Sequence, residues 1–423
     1  MSGLESQLPA LLLFLSGASV LAVATQRWLR APYTVALAIV GLVFGTLGVA
    51  APVELSYDLV IFVLLPALLF EGAASIDYHE MKKVLPAVVA VALVGLAVSI
   101  GVVGLAGQAL FGFPLAVALL FGVIVMPTDP VAVIAVLDAV GTPEELATLV
   151  EGESLLNDGL SIVLYTSLLG IVLDGSQPGE FLTLSRGLSL AGNVAVSVFG
   201  GVAVGALSGF LVYQVLRRLD EPFPETLLTF VLAYGSFFVA EELLHASGVI
   251  ATAAAALVMG NWGSENAMTV PTRMRVFNTW ETLAFFLNTF VFLAIGVAAP
   301  LGLLWEHAVS VVLAVVLVLG IRPLVNYPLL SIAGRLFDHD VPPAHRIVNI
   351  WGGIHAVVSV ALVLGLPQNA AIAPYRDRIR AMVFGVALAG LLVQAISLPW
   401  LIRALDIGED ATPVGEFEWA EAE

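Results

Sequence analysis

The chain is a succession of long apolar runs, each cut by a short cluster of charges, polar residues or Gly/Pro. Thirteen runs lie near residues 8–26, 33–51, 57–76, 84–106, 114–139, 146–173, 188–216, 223–244, 247–262, 278–299, 307–333, 348–367 and 381–402. A helix that crosses a bilayer needs roughly 20 mostly apolar residues. The pattern therefore predicts an all-α polytopic membrane protein, with a transmembrane domain over 1–403 and an acidic tail over 404–423.

Spans 5 and 12 break the pattern. At mid-depth the first carries Pro127-Thr128-Asp129-Pro130 and the second Gly352-Gly353-Ile354-His355. They are seven spans apart, and an odd offset makes two related units face opposite ways. Inverted repeats with corresponding broken helices are the best sequence pointer to a transporter's binding site. The predicted architecture is thus two inverted six-helix repeats, about 8–173 and 223–402, joined by span 7 over 188–216.

Composition agrees. The chain is 60% hydrophobic and 12% charged, with a mean hydropathy of +1.01, whereas soluble domains run at about 45–50% and about 25%. With the amino terminus outside, eleven basic residues fall in inward loops and four (Arg186, Arg376, Arg378 and Arg380) in outward ones. That bias orients the chain, amino terminus out and carboxyl terminus in the cytoplasm. No base precedes the first apolar run, so it reads as a span and not a signal peptide. Cysteine is absent, which excludes disulfides, thiolate metal sites and thiol nucleophiles. The net charge of −17 argues against nucleic-acid partners and leaves membrane lipid as the surroundings. Arginine outnumbers lysine by 14 to 2, and an acidic, lysine-poor chain suits a high-salt habitat.

An Asp or Arg at the bilayer centre costs about 2.5–3.5 kcal/mol on insertion scales, so intramembrane charges are candidates for function. They are Glu71 in span 3, Asp129 in span 5, Glu151, Glu153 and Asp158 in span 6, and Arg322 in span 11. Two prolines around Thr128-Asp129 remove amide donors and disfavour helix before each. The stretch is either an unwound cation site, where carbonyls, a hydroxyl and a carboxylate give hard oxygen ligands, or a proline kink with a capping Asp. In span 6, Ser154 and Asp158 share one helix face while Glu153 and Asn157 share its neighbour. Arg322 is expected to pair with a span 6 carboxylate, Glu153 first. Glu71 is either a site carboxylate or the inner end of its span, and Glu151 is placed at the interface. His355 sits in the break of span 12, where it either relays protons or packs as a neutral side chain.

These residues resemble the NhaP-type sodium/proton antiporters, relatives of the animal and plant sodium/proton exchangers in the first cation:proton antiporter family. The carriers are LLPALLFEGA at 64–73, PTDPVAV at 127–133, GESLLNDGLSIVLY at 152–165, NTFVFLAIGV at 288–297, Arg322, and WGGIHAVVSVAL at 351–362. The resemblance spans essentially the whole chain. It implies a homodimer in which spans 5 and 12 cross as broken helices beside the ion site. Asp158 matches the essential ion- and proton-binding aspartate. Asp129, the Thr128 carbonyl, Ser154 and Glu71 match further ligands of Na⁺, and Glu153 with Arg322 a structural ion pair. Asn157 marks the asparagine-aspartate variant associated with electroneutral exchange. In one departure, span 12 of the family usually reads Gly-Gly-Leu-Arg-Gly, and His355 stands here in place of the arginine.

The implied function is electroneutral exchange of Na⁺ (or Li⁺) for H⁺ at the cell membrane, serving pH homeostasis and salt tolerance, without cofactors and without enzymatic chemistry. The alternative within the same fold is K⁺/H⁺ exchange. An intramembrane aspartyl protease needs a Gly-x-Gly-Asp element, but Asp158 follows Leu155-Leu156-Asn157. A passive cation channel would carry voltage-dependent current indifferent to a proton gradient.

Overall fold

The structure is a computed structural model that describes residues 32–48, 54–174, 184–219, 221–337 and 340–407. The first predicted span and the acidic tail beyond Ile407 lie outside the described residues. The other twelve spans are helical. They are α1 (Tyr33–Thr46), α2 (Leu59–Ser75), α3 (Tyr78–Phe111), α4 (Leu115–Val125), α5 (Val131–Val140), α6 (Glu144–Leu173), α7 (Leu184–Leu216) and α8 (Pro222–Leu243). After these come α9 (Gly248–Val258), α10 (Val270–Ala298), the short α11 (Leu301–Glu306), α12 (Ala308–Leu336), α13 (Pro343–Trp351), α14 (Val357–Leu364) and α15 (Ala373–Ala404). No strand occurs among the described residues. Within lipid, helices satisfy their own backbone groups, which loops and open sheets do not.

Helix ends follow local chemistry. Asp77 caps α3 by accepting from the backbone N–H groups of His79 and Glu80, at 2.6 and 3.1 Å. The Glu80 and His79 amides hold the Asp77 carboxyl below its ordinary range, as expected where bonding favours the charged form. At the end of α5, Gly141 takes the left-handed conformation, φ +70°, that closes a helix without a Cβ clash.

Spans 5 and 12 are both broken. Span 5 divides into α4 and α5 around Met126–Pro130, and span 12 into α13 and α14 around Gly352–Ala356. The two interruptions meet, since the Asp129 N–H donates to the Ile354 carbonyl at 2.6 Å. Other contacts repeat with the seven-span offset. Span 2 packs on span 10 (α1 on α10) and span 9 on span 3 (α9 on α2); likewise spans 4 and 6 pair (α3 with α6), as do spans 11 and 13 (α12 with α15). Such exchanged partners are what two inverted repeats produce. Between α1 and α10 the backbones touch: a Cβ at Gly41 would strike the Leu293 carbonyl and one at Gly296 the Ala38 carbonyl. Small residues allow this approach between membrane helices. By contrast, α7 and α12 present exposed apolar side chains, among them Val196, Phe199, Val309 and Leu324, suited to lipid.

Candidate functional site: an acidic cavity at the crossing of two broken helices

A cavity of about 520 Å³ runs from one end of the molecule to the crossing. Ser75 and Ile76 at the end of α2, Asp138 in α5 and Glu144 at the start of α6 line its mouth, and Asp129, Ser154 and Asp158 its floor. Among the described residues seven carboxylates line it (Glu71, Asp129, Asp138, Glu144, Glu151, Asp158 and Glu281) and no basic side chain does. A cleft of one sign within low-dielectric walls concentrates counter-ions.

The floor is built by sequence-local means. Ser154 and Asp158, one turn apart on α6, both face the cavity. Asp129 is aimed by the break itself: its Oδ1 accepts from the Val131 N–H at 3.1 Å at the start of α5. Its Oδ2 is buried without a partner, as is Oδ1 of Asp158. Unpaired buried carboxylate oxygens are costly, and a cation or a proton removes that cost. Thr128 lies behind this floor, not on the cavity wall. Its hydroxyl is 3.0 Å from the Ser154 hydroxyl and accepts from Asn157 Nδ2 at 3.3 Å. Glu71 joins the lining from α2. Among the described residues no group of three or more His, Asp or Glu is gathered closely enough to hold a metal ion.

On the neighbouring face of α6, Glu153 is the centre of a closed network. Its Oε1 accepts from Arg322 Nη2 at 2.9 Å and from Asn157 and Asn326 amides at 3.4 Å, and its Oε2 accepts from Asn349 Nδ2 at 2.7 Å. Arg322 also donates through Nε to the Ile350 carbonyl at 3.1 Å and through Nη2 to the Asn349 carbonyl at 3.2 Å. A permanent cation thus covers the carbonyl end of α13, where the helix dipole is negative. The expected pair with Glu153 is present, and it also pins the broken helix.

His355 is wholly buried, 1% exposed. Its Nδ1 lies 2.9 Å from the Pro127 carbonyl; since a carbonyl only accepts, Nδ1 donates. The Ser359 hydroxyl reaches the same carbonyl at 3.4 Å. The imidazole therefore serves a backbone acceptor exposed by the break in span 5, and the arginine of the other break is supplied by span 11.

Sequence reasoning missed Glu281, Asn288 and Tyr33 on the cavity wall, and it set Glu151 at the interface although Glu151 lines the cavity. The amide partners of Glu153 on α12 and α13 were also unforeseen. Glu281 had a signal, an acidic residue near the start of the tenth apolar run; the amides had none.

A family model described as "Sodium/hydrogen exchanger, transmembrane" matches residues 12–404. The chain belongs to the sodium/hydrogen exchanger family. It is 35% identical over 391 residues to the Na(+)/H(+) antiporter ApNhaP of Aphanothece halophytica, covering 92% of this chain and 73% of that one. It is 32% identical to the Na(+)/H(+) antiporter NhaP of Pseudomonas aeruginosa, covering 94% and 96%. Its fold is that of the sodium proton antiporter MjNhaP1 from Methanocaldococcus jannaschii, with a TM-score of 0.74 at 21% identity over 95% of this chain and 99% of that one. As a member of this exchanger family it is a multi-pass membrane transporter.

Proposed function

We propose that the chain exchanges one Na⁺ (or Li⁺) for one H⁺ at Asp158, electroneutrally. The observation that carries this is the pair of unpartnered carboxylate oxygens on Asp129 and Asp158 at the floor of a cavity with no basic lining among the described residues. Only a mobile cation or a proton neutralises them. The same lone pairs on Asp158 serve either ion, so the two compete, and competition alone couples the fluxes. Asp129 and Ser154, on the same floor, supply further oxygen ligands; the family resemblance adds the Thr128 carbonyl and Glu71, which this reading brings to the ion when the helices move. The site has one charge whichever ion it holds, so the membrane potential does not drive the cycle. No bond is made or broken, and the cycle draws on no cofactor.

The excess of basic residues in the loops at the cavity-mouth end supports a cytoplasmic mouth, with the amino terminus outside and the carboxyl terminus inside. The chain works as a homodimer in this reading, a part that rests on the family resemblance. Alternating access moves α4, α5, α6, α13 and α14 against the scaffold.

The test is proton flux in proteoliposomes with an acid interior, read by a pH-sensitive dye, with potential clamped or free. Dissipation by external Na⁺ or Li⁺ that ignores the clamp and is lost in Asp158→Asn is expected. Dissipation by K⁺ alone changes the substrate, and no cation-driven flux overturns the reading.

A further inference from the structure

The cavity follows α6 from Glu144 as far as Asp158 and stops there. Beyond it, toward the opposite end of the molecule, the same stripe of α6 carries Ser161 and Tyr165. Residues at i, i+3 and i+7 lie on one helix face, and seven residues advance about 10 Å. Asp158 Oδ1, Ser161 Oγ and Tyr165 Oη are all buried without a hydrogen-bond partner, and Ser161 and Tyr165 are 0% and 2% exposed. Buried polar atoms are almost always paired, and a run of three that are not demands an explanation. Packing does not supply one, because an apolar side chain of similar size fills the same space without the desolvation cost.

The stripe ends at a tight contact. The Tyr165 ring lies against Tyr57, at the start of span 3, with centroids 6.1 Å apart and planes 29° apart. Gly365, just after α14, closes over both. A Cβ there would come within 2.7 Å of Tyr57 Cδ2 and 3.2 Å of Tyr165 Oη. Elements from spans 3, 6 and 12 thus converge on one point, two turns beyond the ion site.

We propose that Ser161 and Tyr165 line the other half of the ion pathway, shut in this conformation, and that the contact of Tyr57, Tyr165 and Gly365 is its gate. When the gate parts, water or a partly hydrated alkali cation takes up the three orphan groups, in the order Tyr165, Ser161, Asp158. The hydroxyls replace hydration oxygens stepwise, as hard-oxygen ligands do for alkali ions. The stripe is polar because it is wet for part of each cycle. This inference rests on the antiport reading of Asp158.

The chain has no cysteine, so single cysteines report access without background. Ser161→Cys is placed in proteoliposomes of known orientation and exposed, on the side away from the cavity mouth, to a methanethiosulfonate bearing a quaternary ammonium, which does not cross lipid. Gln368→Cys, exposed at that end, marks full access. During Na⁺-driven exchange Ser161→Cys is labelled from that side, and adding Tyr57→Ala speeds the labelling about tenfold or more. Labelling that Tyr57→Ala leaves unchanged overturns the gate. Absence of labelling in both backgrounds, with Gln368→Cys reacting and the unsubstituted chain exchanging ions, overturns the pathway and leaves the antiport reading intact. Absence of exchange by the unsubstituted chain overturns both.

Discussion

Asn157 sits next to Asp158 in sequence but belongs to a different environment. Its amide donates to Glu153 Oε1 at 3.4 Å and to Thr128 Oγ1 at 3.3 Å, and it does not line the cavity. Asn157→Asp therefore places a second carboxylate against Glu153 in a buried network instead of adding a charge to the transport site. An uncompensated buried charge costs about 3 kcal/mol or more. The expected outcome is a lower melting temperature in detergent, with exchange still insensitive to membrane potential. A stable variant whose exchange generates a potential contradicts this placement. His355 differs in kind. It is wholly buried, is the donor to the Pro127 carbonyl and lies near the Arg322 guanidinium. His355→Ala removes that donor and leaves the Pro127 carbonyl with only the longer Ser359 contact; exchange is expected to fall several-fold with the shape of its pH profile unchanged. A pH profile that changes shape in this variant contradicts a role confined to holding the backbone.

Among the elements, the two broken helices were legible because proline and glycine act through backbone rules that need no tertiary knowledge. Pro127 and Pro130 each forbid a helical donor, and Gly352-Gly353 weakens the helix between apolar flanks. The i, i+4 relation of Ser154 and Asp158 was legible for the same reason. The hydrogen bond from Asp129 N–H to the Ile354 carbonyl was not, since it joins residues more than 200 positions apart and depends on how two repeats dock. Glu281 and Glu151 were hidden similarly: a carboxylate near a span end reads as interfacial until a cavity is seen beside it. The Arg322 pair was legible from cost alone, because an unpaired guanidinium in a membrane is costly. Its contacts to α13 carbonyls were not. At this scale Gly353 is the sharpest test. A Cβ there would run into the Arg322 guanidinium, so Gly353→Ala must displace either the Glu153 ion pair or the break in span 12. It is expected to cost about 3–5 kcal/mol of stability and to abolish exchange. Near-normal melting and flux would mean that the guanidinium is free to move.

In the whole molecule, the carboxylates are distributed unevenly. Among the described residues seven of them line the cavity that ends at Asp158, while the stripe of α6 beyond Asp158 carries the Ser161 and Tyr165 hydroxyls and ends at the Tyr57–Tyr165 ring contact. The repeated neighbours of spans 2 and 10, 9 and 3, 4 and 6, and 11 and 13 mean that exchanging the roles of the two repeats would yield the opposite opening from the same parts. Such a molecule needs one carboxylate whose occupant decides which opening is allowed, and Asp158 is at the boundary between cavity and stripe. The measurement to make is proton release on adding Na⁺ to purified protein in weak buffer, between about pH 5 and 9. Competition at one carboxylate requires up to one H⁺ released per Na⁺ bound, declining as rising pH empties the site of its proton, and none from Asp158→Asn. Na⁺ binding without proton release at any pH, or release unchanged in Asp158→Asn, would contradict exchange by competition at this residue.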